Sequence, residues 1–275
     1  MPRIPLEDNF TDVLGKAQRG LGLTDADLAA KAGIRPDELA ALHRGEIRDY
    51  PIRSIARALQ LNPAALVSLA RKEWYPTQPD FPRGFALFND PYDGDLTVNS
   101  YLVWDSRSRL AAAFDTGVDA TAMLDTIAAE KLKLHYIFVT HTHEDHIQAL
   151  PQLAAATGAE VWASEREPVS HPGARTFAEN AHFHLGELAV KTLFTWGHSP
   201  GQTTFYVTGL SWPLAIVGDS LFAASVGGSR EHYADQLAND REKIFRLPAD
   251  TVLACGHGPL TTLQQERRYN PFFAR

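Results

Sequence analysis

A run of histidines and acidic residues directly after an apolar segment constrains this chain more than any other feature. Residues 136–140 read Tyr-Ile-Phe-Val-Thr, the pattern of a short buried strand, and residues 141–146 follow as His-Thr-His-Glu-Asp-His. Three imidazoles and two carboxylates in six residues are costly to bury without compensation. Side chains two residues apart in an extended segment point the same way, so His141 and His143 can meet at one cation. The fold must therefore place this segment at a strand end where it can bind metal.

Three further segments combine a strand end with a polar residue that is flanked by glycine. They carry His198 in Gly-His-Ser-Pro-Gly, Asp219 in Gly-Asp-Ser and His257 in Gly-His-Gly. Glycine lets the backbone turn sharply and approach an ion closely, and strand ends are where α/β folds place their chemistry. Imidazole and carboxylate together suit zinc, iron or manganese. The predicted metal ligands are His141, His143, Asp145, His146, His198, Asp219 and His257.

A second His-x-His pair, His182 and His184, has a different setting. It lies in a polar/apolar alternation before Leu-Gly. Alternation of this kind is typical of a half-exposed strand face. We therefore interpret this pair as structural.

Hydrophobic periodicity divides the chain into two regions. From about residue 9 to 72 the pattern is helical throughout, with Thr24 and Asp27 as a capping box, and a proline-rich connector over 74–82 follows. Beyond it, strands and helices alternate, which indicates a layered α/β domain. We predict two domains, residues 1–75 and 76–275. The predicted helices cover 25–32, 36–43, 51–59, 63–69, 120–131, 147–156 and 231–246, and the predicted strands cover 96–104, 110–114, 136–140, 160–163, 188–194, 203–208, 214–217 and 251–255.

Composition limits the classes of function. The chain has 275 residues, of which 44% are hydrophobic, and a formal net charge of −7. This charge gives no general attraction to nucleic acid or anionic membranes, and no apolar run approaches the roughly 18–20 residues of a membrane span. The single cysteine, Cys255, allows no intrachain disulfide and ends an apolar strand, so we expect a small buried side chain. We expect a cytoplasmic protein with a small-molecule substrate and no membrane association.

The pattern His-x-His-x-Asp-His, with a distal His, Asp and His, resembles the metallo-β-lactamase superfamily over about residues 83–275. Phe-Asp-Thr-Gly at 114–117, Gly-Asp-Ser-Leu-Phe at 218–222 and the ending over 256–272 resemble its glyoxalase II (hydroxyacylglutathione hydrolase) branch. The ending is similar to short bacterial forms, which lack the long C-terminal helical domain that grips glutathione. Residues 225–230 read Ser-Val-Gly-Gly-Ser-Arg, where relatives commonly carry Gly-Arg-x-Asp.

This resemblance implies an α/β fold, the αββα sandwich, here preceded by a small all-α domain of five helices. It implies that His141, His143 and His198 bind one divalent metal ion and that Asp219 bridges it to a second. The ligands of the second ion would be Asp145, His146 and His257, and Asp115 would orient a ligand or its loop. Two zinc ions are expected, with iron or manganese as alternatives.

The implied function is a metal-dependent hydrolase that uses a metal-bridging hydroxide to cleave a thioester or a related ester. Asp145 and Asp219 would be its catalytic residues. A lactonase of the same fold and a mononuclear iron dioxygenase acting on persulfides are the alternatives within the superfamily. Candidate substrate contacts are Tyr206, Arg230, His232 and Tyr233, although we favour a structural or solvent-exposed role for each of them.

Residues 23–45 resemble a Cro/λ-repressor-type helix-turn-helix, within a helical region over about 9–72. This resemblance implies a different class of function, a DNA-binding regulator whose hydrolase-like domain senses a metabolite. The recognition helix would begin with Asp37 and Glu38 after Arg35 and Pro36, and carboxylates there would repel phosphates. A local basic patch could come from Arg44, Arg48, Arg53 and Arg57. We favour a module for dimerisation, giving a homodimer, or for covering the active site.

Overall fold

The computed structural model describes residues 3–94 and 96–274. Over these residues five helices precede two six-stranded sheets, which confirms the predicted fold class. None of the described helices combines the length and the apolar character that crossing a bilayer requires. The helices are α1 Phe10–Gly20, α2 Asp25–Ala32, α3 Pro36–His43, α4 Asp49–Ala58, α5 Pro63–Ala70, α6 Thr121–Ala129, α7 Glu144–Ile147, α8 Leu150–Thr157, α9 Tyr233–Glu242 and α10 Leu263–Tyr269.

The strands of the two sheets and of one small hairpin are shorter than most of the helices. They are β1 Phe85–Pro91, β2 Thr97–Trp104, β3 Leu110–Phe114, β4 Lys133–Phe138, β5 Glu160–Ser164, β6 Arg175–Phe177, β7 His182–Leu185, β8 Leu188–Phe194, β9 Thr203–Thr208, β10 Leu214–Gly218, β11 Leu221–Phe222, β12 Ser225–Val226, β13 Val252–Cys255 and β14 Thr261–Thr262. The first sheet has the order β1-β2-β3-β4-β5-β6 and the second the order β14-β13-β10-β9-β8-β7. Strands β11 and β12 form a separate two-stranded sheet within the described part of the chain.

The N-terminal helices begin and end for the reasons that the sequence suggests. At the start of α2, the Asp27 N–H donates to the Thr24 hydroxyl at 3.2 Å, and the Thr24 N–H donates to the Asp27 carboxylate at 3.3 Å. This reciprocal pair is the predicted capping box. Gly33, at a φ of 65°, ends the helix in the left-handed conformation that glycine adopts without strain.

Three hydrophobic clusters show how the layers stack. Strand β10 alternates, so that Leu214 and Ile216 face the first sheet while Ala215 and Val217 face a layer of helices. Helices α6 and α8 cover the outer face of the first sheet. The outer face of the second sheet is covered by α9 and α10 together with residues from all five N-terminal helices. The helical region and the second sheet therefore share one core, and a boundary at residue 75 stays a prediction.

Three of the predicted elements have different bounds in the structure. The single helix predicted over 147–156 is two helices, α7 and α8, because Pro151 has no N–H to continue the first one. Strand β4 ends at Phe138 instead of Thr140, because the Thr140 N–H donates to the Asp115 carboxylate at 2.8 Å and not to a neighbouring strand. The helix predicted over 231–246 ends at Glu242 and a 3-10 turn, Ile244–Arg246, follows.

Candidate metal centre

The seven predicted ligands come together at one edge of the sandwich, from four separate loops. The segment with His141 and His143 leaves β4 and enters α7, while His198 lies between β8 and β9. Asp219 directly follows β10, and His257 lies two residues after β13. Strands β10 and β13 are parallel neighbours, so the residues after their carboxyl ends lie side by side.

The ligand atoms form two groups of three with Asp219 between them. In the first group, the Nδ1 atom of His143 lies 3.0 Å from Nε2 of both His141 and His198. In the second, Oδ2 of Asp145 lies 3.2 Å from Nε2 of His257 and 3.6 Å from Nε2 of His146. Each group of ligand atoms lies within 4.8 Å.

The two oxygens of Asp219 face both groups. Its Oδ1 lies 3.3 Å from Nε2 of His146, in the second group. Its Oδ2 lies 3.5 Å from Nε2 of His198 and 3.4 Å from Nε2 of His257, one from each group. A carboxylate in this position can contact two cations at once. The geometry is compatible with the bridging role that the family resemblance implies for Asp219.

The histidine rings are oriented by hydrogen bonds on the side away from the centre. Nδ1–H of His198 donates to the Gly228 carbonyl at 2.9 Å, and Nδ1–H of His257 donates to the Thr97 carbonyl at 2.7 Å. Nδ1–H of His146 donates to a carboxylate oxygen of Asp115 at 2.9 Å. Such partners fix the ring tautomer and direct the Nε2 lone pair toward the centre.

Asp115 is the residue that ties the second group to the loop of the first. Besides His146, it accepts hydrogen bonds from both the N–H and the hydroxyl of Thr140, each at 2.8 Å. The Thr140 hydroxyl in turn accepts from Nδ1–H of His141 at 3.0 Å. Asp115 holds a φ of 55°, an unusual conformation for a residue other than glycine, which surrounding contacts must stabilise. This arrangement fits the orienting role implied for Asp115.

The glycines beside the ligands are required by close approach. A Cβ atom on Gly256 would lie 2.1 Å from Oδ1 of Asp219, and one on Gly227 would lie 1.9 Å from the Asp219 carbonyl oxygen. Neither distance is compatible with a side chain, since both contacts involve atoms held in place by the loop. The glycine that precedes His257 in the sequence therefore has a direct steric cause.

The residues fit a pair of divalent cations. Nε2 of His146 and Oδ1 of Asp219 are buried without a hydrogen-bond partner, so their 3.3 Å approach lacks hydrogen-bond geometry. Nδ1 of His143 lies 3.0 Å from Nε2 of both His141 and His198, and a single N–H can serve only one of these two contacts, whereas a cation can be bound by all three nitrogens. In a tetrahedral zinc site, ligands 2.0–2.1 Å from the metal lie about 3.3 Å from one another. The donor atoms, nitrogen and carboxylate oxygen, suit zinc, iron and manganese alike.

Without metal, the histidines of the two groups differ in protonation. Burial lowers the pKa of His141 well below its usual value, which keeps that ring neutral. For His146, burial acts in the same direction, but Asp219 and Asp115 outweigh it and raise the pKa to about 10. For His257, Asp219 and Asp145 likewise outweigh burial and raise the pKa to about 12. The second group therefore carries protons at neutral pH in the metal-free protein.

We predict that metal binding releases these protons. His146 and His257 stay protonated below pKa values of about 10 and about 12, and a metal requires the neutral rings, so metal affinity falls as the pH falls. At pH 7.5 we expect about two protons released per chain. Calorimetric titration with zinc in buffers of different ionisation enthalpy measures this number. A release of none would mean that both rings are already neutral in the metal-free protein.

Glu167, which the sequence did not indicate, joins the two loops of the first group. Its Oε1 accepts from the Thr142 N–H at 2.9 Å and the Thr142 hydroxyl at 2.6 Å, and its Oε2 accepts from the Gly201 N–H at 2.7 Å. Burial would raise its pKa, but hydrogen bonds from Thr142 and Ser199 outweigh this and lower it, so it is a carboxylate. Glu167 follows the short strand β5 with no flanking glycine, so no sequence signal identified it.

The other candidates lie apart from the ligands or at the surface. Tyr233 is buried in the cluster between the second sheet and the helices and Tyr206 packs against it, which favours the structural interpretation of both residues. Arg230 and His232 are exposed, and His232 lies 3.4 Å from the Asp235 carboxylate. Cys255 is free and buried, as expected, and burial raises the pKa of its thiol.

Comparison with known proteins gives a consistent set of similarities. The model of the metallo-beta-lactamase superfamily matches residues 93–257. The chain is 32% identical to a hydroxyacylglutathione hydrolase of Bartonella tribocorum over 158 residues, which are 57% of this chain and 61% of that protein. It is 29% identical to the hydroxyacylglutathione hydrolase GloC of Haemophilus influenzae over 197 residues, or 63% of this chain and 92% of that one. The chain thus spans about three fifths of the first relative's length.

Among solved structures, the chain resembles TTHA1623, which was crystallised in a di-iron-bound form. The TM-score is 0.55 and the sequence identity 26%, and the match covers 70% of this chain and all of that one. That protein therefore has the same fold and holds two metal ions.

Proposed function

Because this chain belongs to the metallo-beta-lactamase superfamily, we propose that it is a metal-dependent hydrolase of a small-molecule thioester or related ester, with a centre for two divalent cations. The observation that carries the proposal is Asp219, whose two oxygens face two separate groups of ligand atoms. Two cations bound there would supply a hydroxide at neutral pH and polarise a substrate carbonyl. The seven side chains named above are the proposed ligands.

The surrounding residues give the centre an open side and a closed side. His143 is exposed, whereas His146, Asp145 and His257 are buried. We expect the substrate to enter past His143 and its carbonyl to lie over the two groups. Asp219 would keep the two cation positions a fixed distance apart, and Asp145 would accept a hydrogen bond from the attacking water. Since both carboxylates contact neighbouring imidazoles, their orientation is set before substrate binds.

A thioester is the first choice of substrate because two relatives are hydroxyacylglutathione hydrolases. The loops around the centre would determine which acyl group and which thiol are accepted. One of these loops carries Ser-Val-Gly-Gly-Ser-Arg over residues 225–230. Lactones and simple esters share the carbonyl chemistry and form the second group to test.

A substrate panel tests the proposal. We expect the metal-loaded protein to hydrolyse at least one acyl thioester, lactone or aryl ester, and to lose that activity on treatment with a chelator. Zinc, manganese or iron added back is expected to restore it. The control is the same panel with metal ions but no protein. Metal-loaded protein that turns over no member of the panel would contradict a hydrolase, and oxygen consumption with a persulfide would instead favour a dioxygenase.

A further inference from the structure

An ion pair joins the N-terminal helical region to the small hairpin that follows Asp219. The Lys16 ammonium, on α1, donates to the carboxylate of Asp8, and both side chains are largely buried, at 15% and 8% exposure. The Asp8 carboxylate also accepts a hydrogen bond from the hydroxyl of Ser225, in strand β12. Lys16 donates a second hydrogen bond to the Val226 carbonyl at 2.9 Å. Asp8 and Lys16 thus form hydrogen bonds with both residues of β12.

The same lysine contacts the other strand of the hairpin. Its ammonium lies 5.0 Å from the centre of the Phe222 ring in β11, within range of a cation–π interaction. The Phe222 ring meets the ring of His257 edge to face, at 5.6 Å between centroids. Lys16 therefore lies one side chain away from a proposed ligand of the second group.

The chain leaves β12 directly into the metal centre. Gly227 packs so closely against Asp219 and His198 that a Cβ atom there would lie 1.9 Å from the Asp219 carbonyl oxygen and 2.9 Å from Nδ1 of His198. The next carbonyl, of Gly228, accepts the hydrogen bond that orients the His198 ring. A shift of β12 would thus be passed to His198 and Asp219 over only one or two residues.

We infer that Lys16 and Asp8 are positioning residues of the metal centre, which hold the Leu221–Val226 hairpin so that His198 and Asp219 face the cations. This inference rests on the proposed function only in taking those residues as metal ligands. A buried ion pair is a weak source of net stability, because desolvation offsets the attraction. Its directional hydrogen bonds can nevertheless fix one position of the hairpin.

The hairpin is also held from its other side, which limits the expected effect. The Gln236 amide, on α9, donates to the carbonyls of Ser220 at 3.1 Å and Gly227 at 3.0 Å. Loss of the Lys16 contacts would therefore loosen the loop but not release it. We expect a loss of about tenfold in metal affinity, the lower end of the range for residues that orient ligands.

The test compares Lys16→Met and Ser225→Ala with a matched control, Lys31→Met, which removes an exposed lysine on α2. Metal affinity is measured by competition with a chromophoric chelator, and ligand geometry by the absorption spectrum of the cobalt-loaded full-length chain. We expect Lys16→Met to weaken cobalt binding about tenfold and to change the spectrum. Ser225→Ala, which removes one hydroxyl, is expected to change both in the same direction by less, and Lys31→Met to change neither.

Two outcomes overturn the inference. One is that Lys16→Met binds cobalt with an affinity within twofold of that of the unmodified protein and shows the same absorption spectrum. The other is that both variants lose cobalt affinity only to the extent that the metal-free proteins are destabilised, as measured by thermal unfolding. If Lys16→Met does not fold, Ser225→Ala decides alone. The readouts use no substrate, so a protein that binds two metals but hydrolyses nothing would defeat the proposed function and leave this inference standing.

Discussion

Asp219→Ala is expected to abolish hydrolysis while the fold survives. The carboxylate of Asp219 faces both groups of ligand atoms, at 3.3 Å from His146 and at 3.5 Å and 3.4 Å from His198 and His257. Without it, the two cation positions lose their shared ligand and the charge that compensates the imidazoles. We expect kcat/KM to fall by at least about 10³-fold, or about 4 kcal/mol. Elemental analysis is expected to find fewer than two metal ions per chain.

The control for this variant is Asp235→Ala, which removes an exposed carboxylate on α9. It is expected to keep both the metal content and the rate. Circular dichroism of Asp219→Ala checks that the sheets are intact, since the hydrophobic clusters do not include this residue. A folded Asp219→Ala protein with two metals and an unchanged rate would remove Asp219 from the centre.

Asp115→Asn is expected to weaken metal binding by about 10–100-fold, because Asp115 orients His146 and the loop before His141. The carboxylate accepts three hydrogen bonds, two from Thr140 and one from His146. An amide keeps one oxygen, and its NH2 group would face a donor, which costs about 1–3 kcal/mol in a buried position. Activity at limiting metal is therefore expected to fall in parallel with affinity.

Excess metal separates this variant from Asp219→Ala. Asp115 contacts His146, a proposed ligand, and is not itself a proposed ligand, so saturating zinc is expected to restore most of the rate of Asp115→Asn but none of the rate of Asp219→Ala. Asp125→Asn, at an exposed position on α6, is the matched control and is expected to behave as the unmodified chain. Equal metal affinity in Asp115→Asn and the control would show that Asp115 has no orienting role.

The sequence predicted most of the longer elements, but it missed β1 and α10 and the shortest strands. The capping box at Thr24 and the hairpin formed by β2 and β3 follow from local patterns, and both are confirmed. Strands β11, β12 and β14 have two residues each, too few for any periodicity, and their position depends on partners distant in the chain. The same limit applies to β6, with three residues.

The candidate site shows the same division between local and distant information. Ligand-rich patterns with glycine identified seven side chains that the structure brings within a few ångströms, because the chemistry of each is visible at its own position. Glu167 and Lys16 act through hydrogen bonds to residues 25 and 210 positions away, and nothing in their own neighbourhood marks them. Likewise, the periodicity of the N-terminal helices shows which of their faces are buried. It does not show which part of the fold those faces pack against, because those residues are distant in the chain.

Those helices cover Ala215 and Val217 of β10 and Leu253 and Cys255 of β13, the two strands that lead to Asp219 and His257. Without these helices, the second sheet would expose a broad hydrophobic surface to water, and the protein would tend to aggregate. We expect the helices and the sheets to unfold together in one cooperative transition, both on heating and in denaturant. Metal binding is expected to raise the melting temperature of both parts. A cation at the far edge would then add to the stability of helices that never touch it.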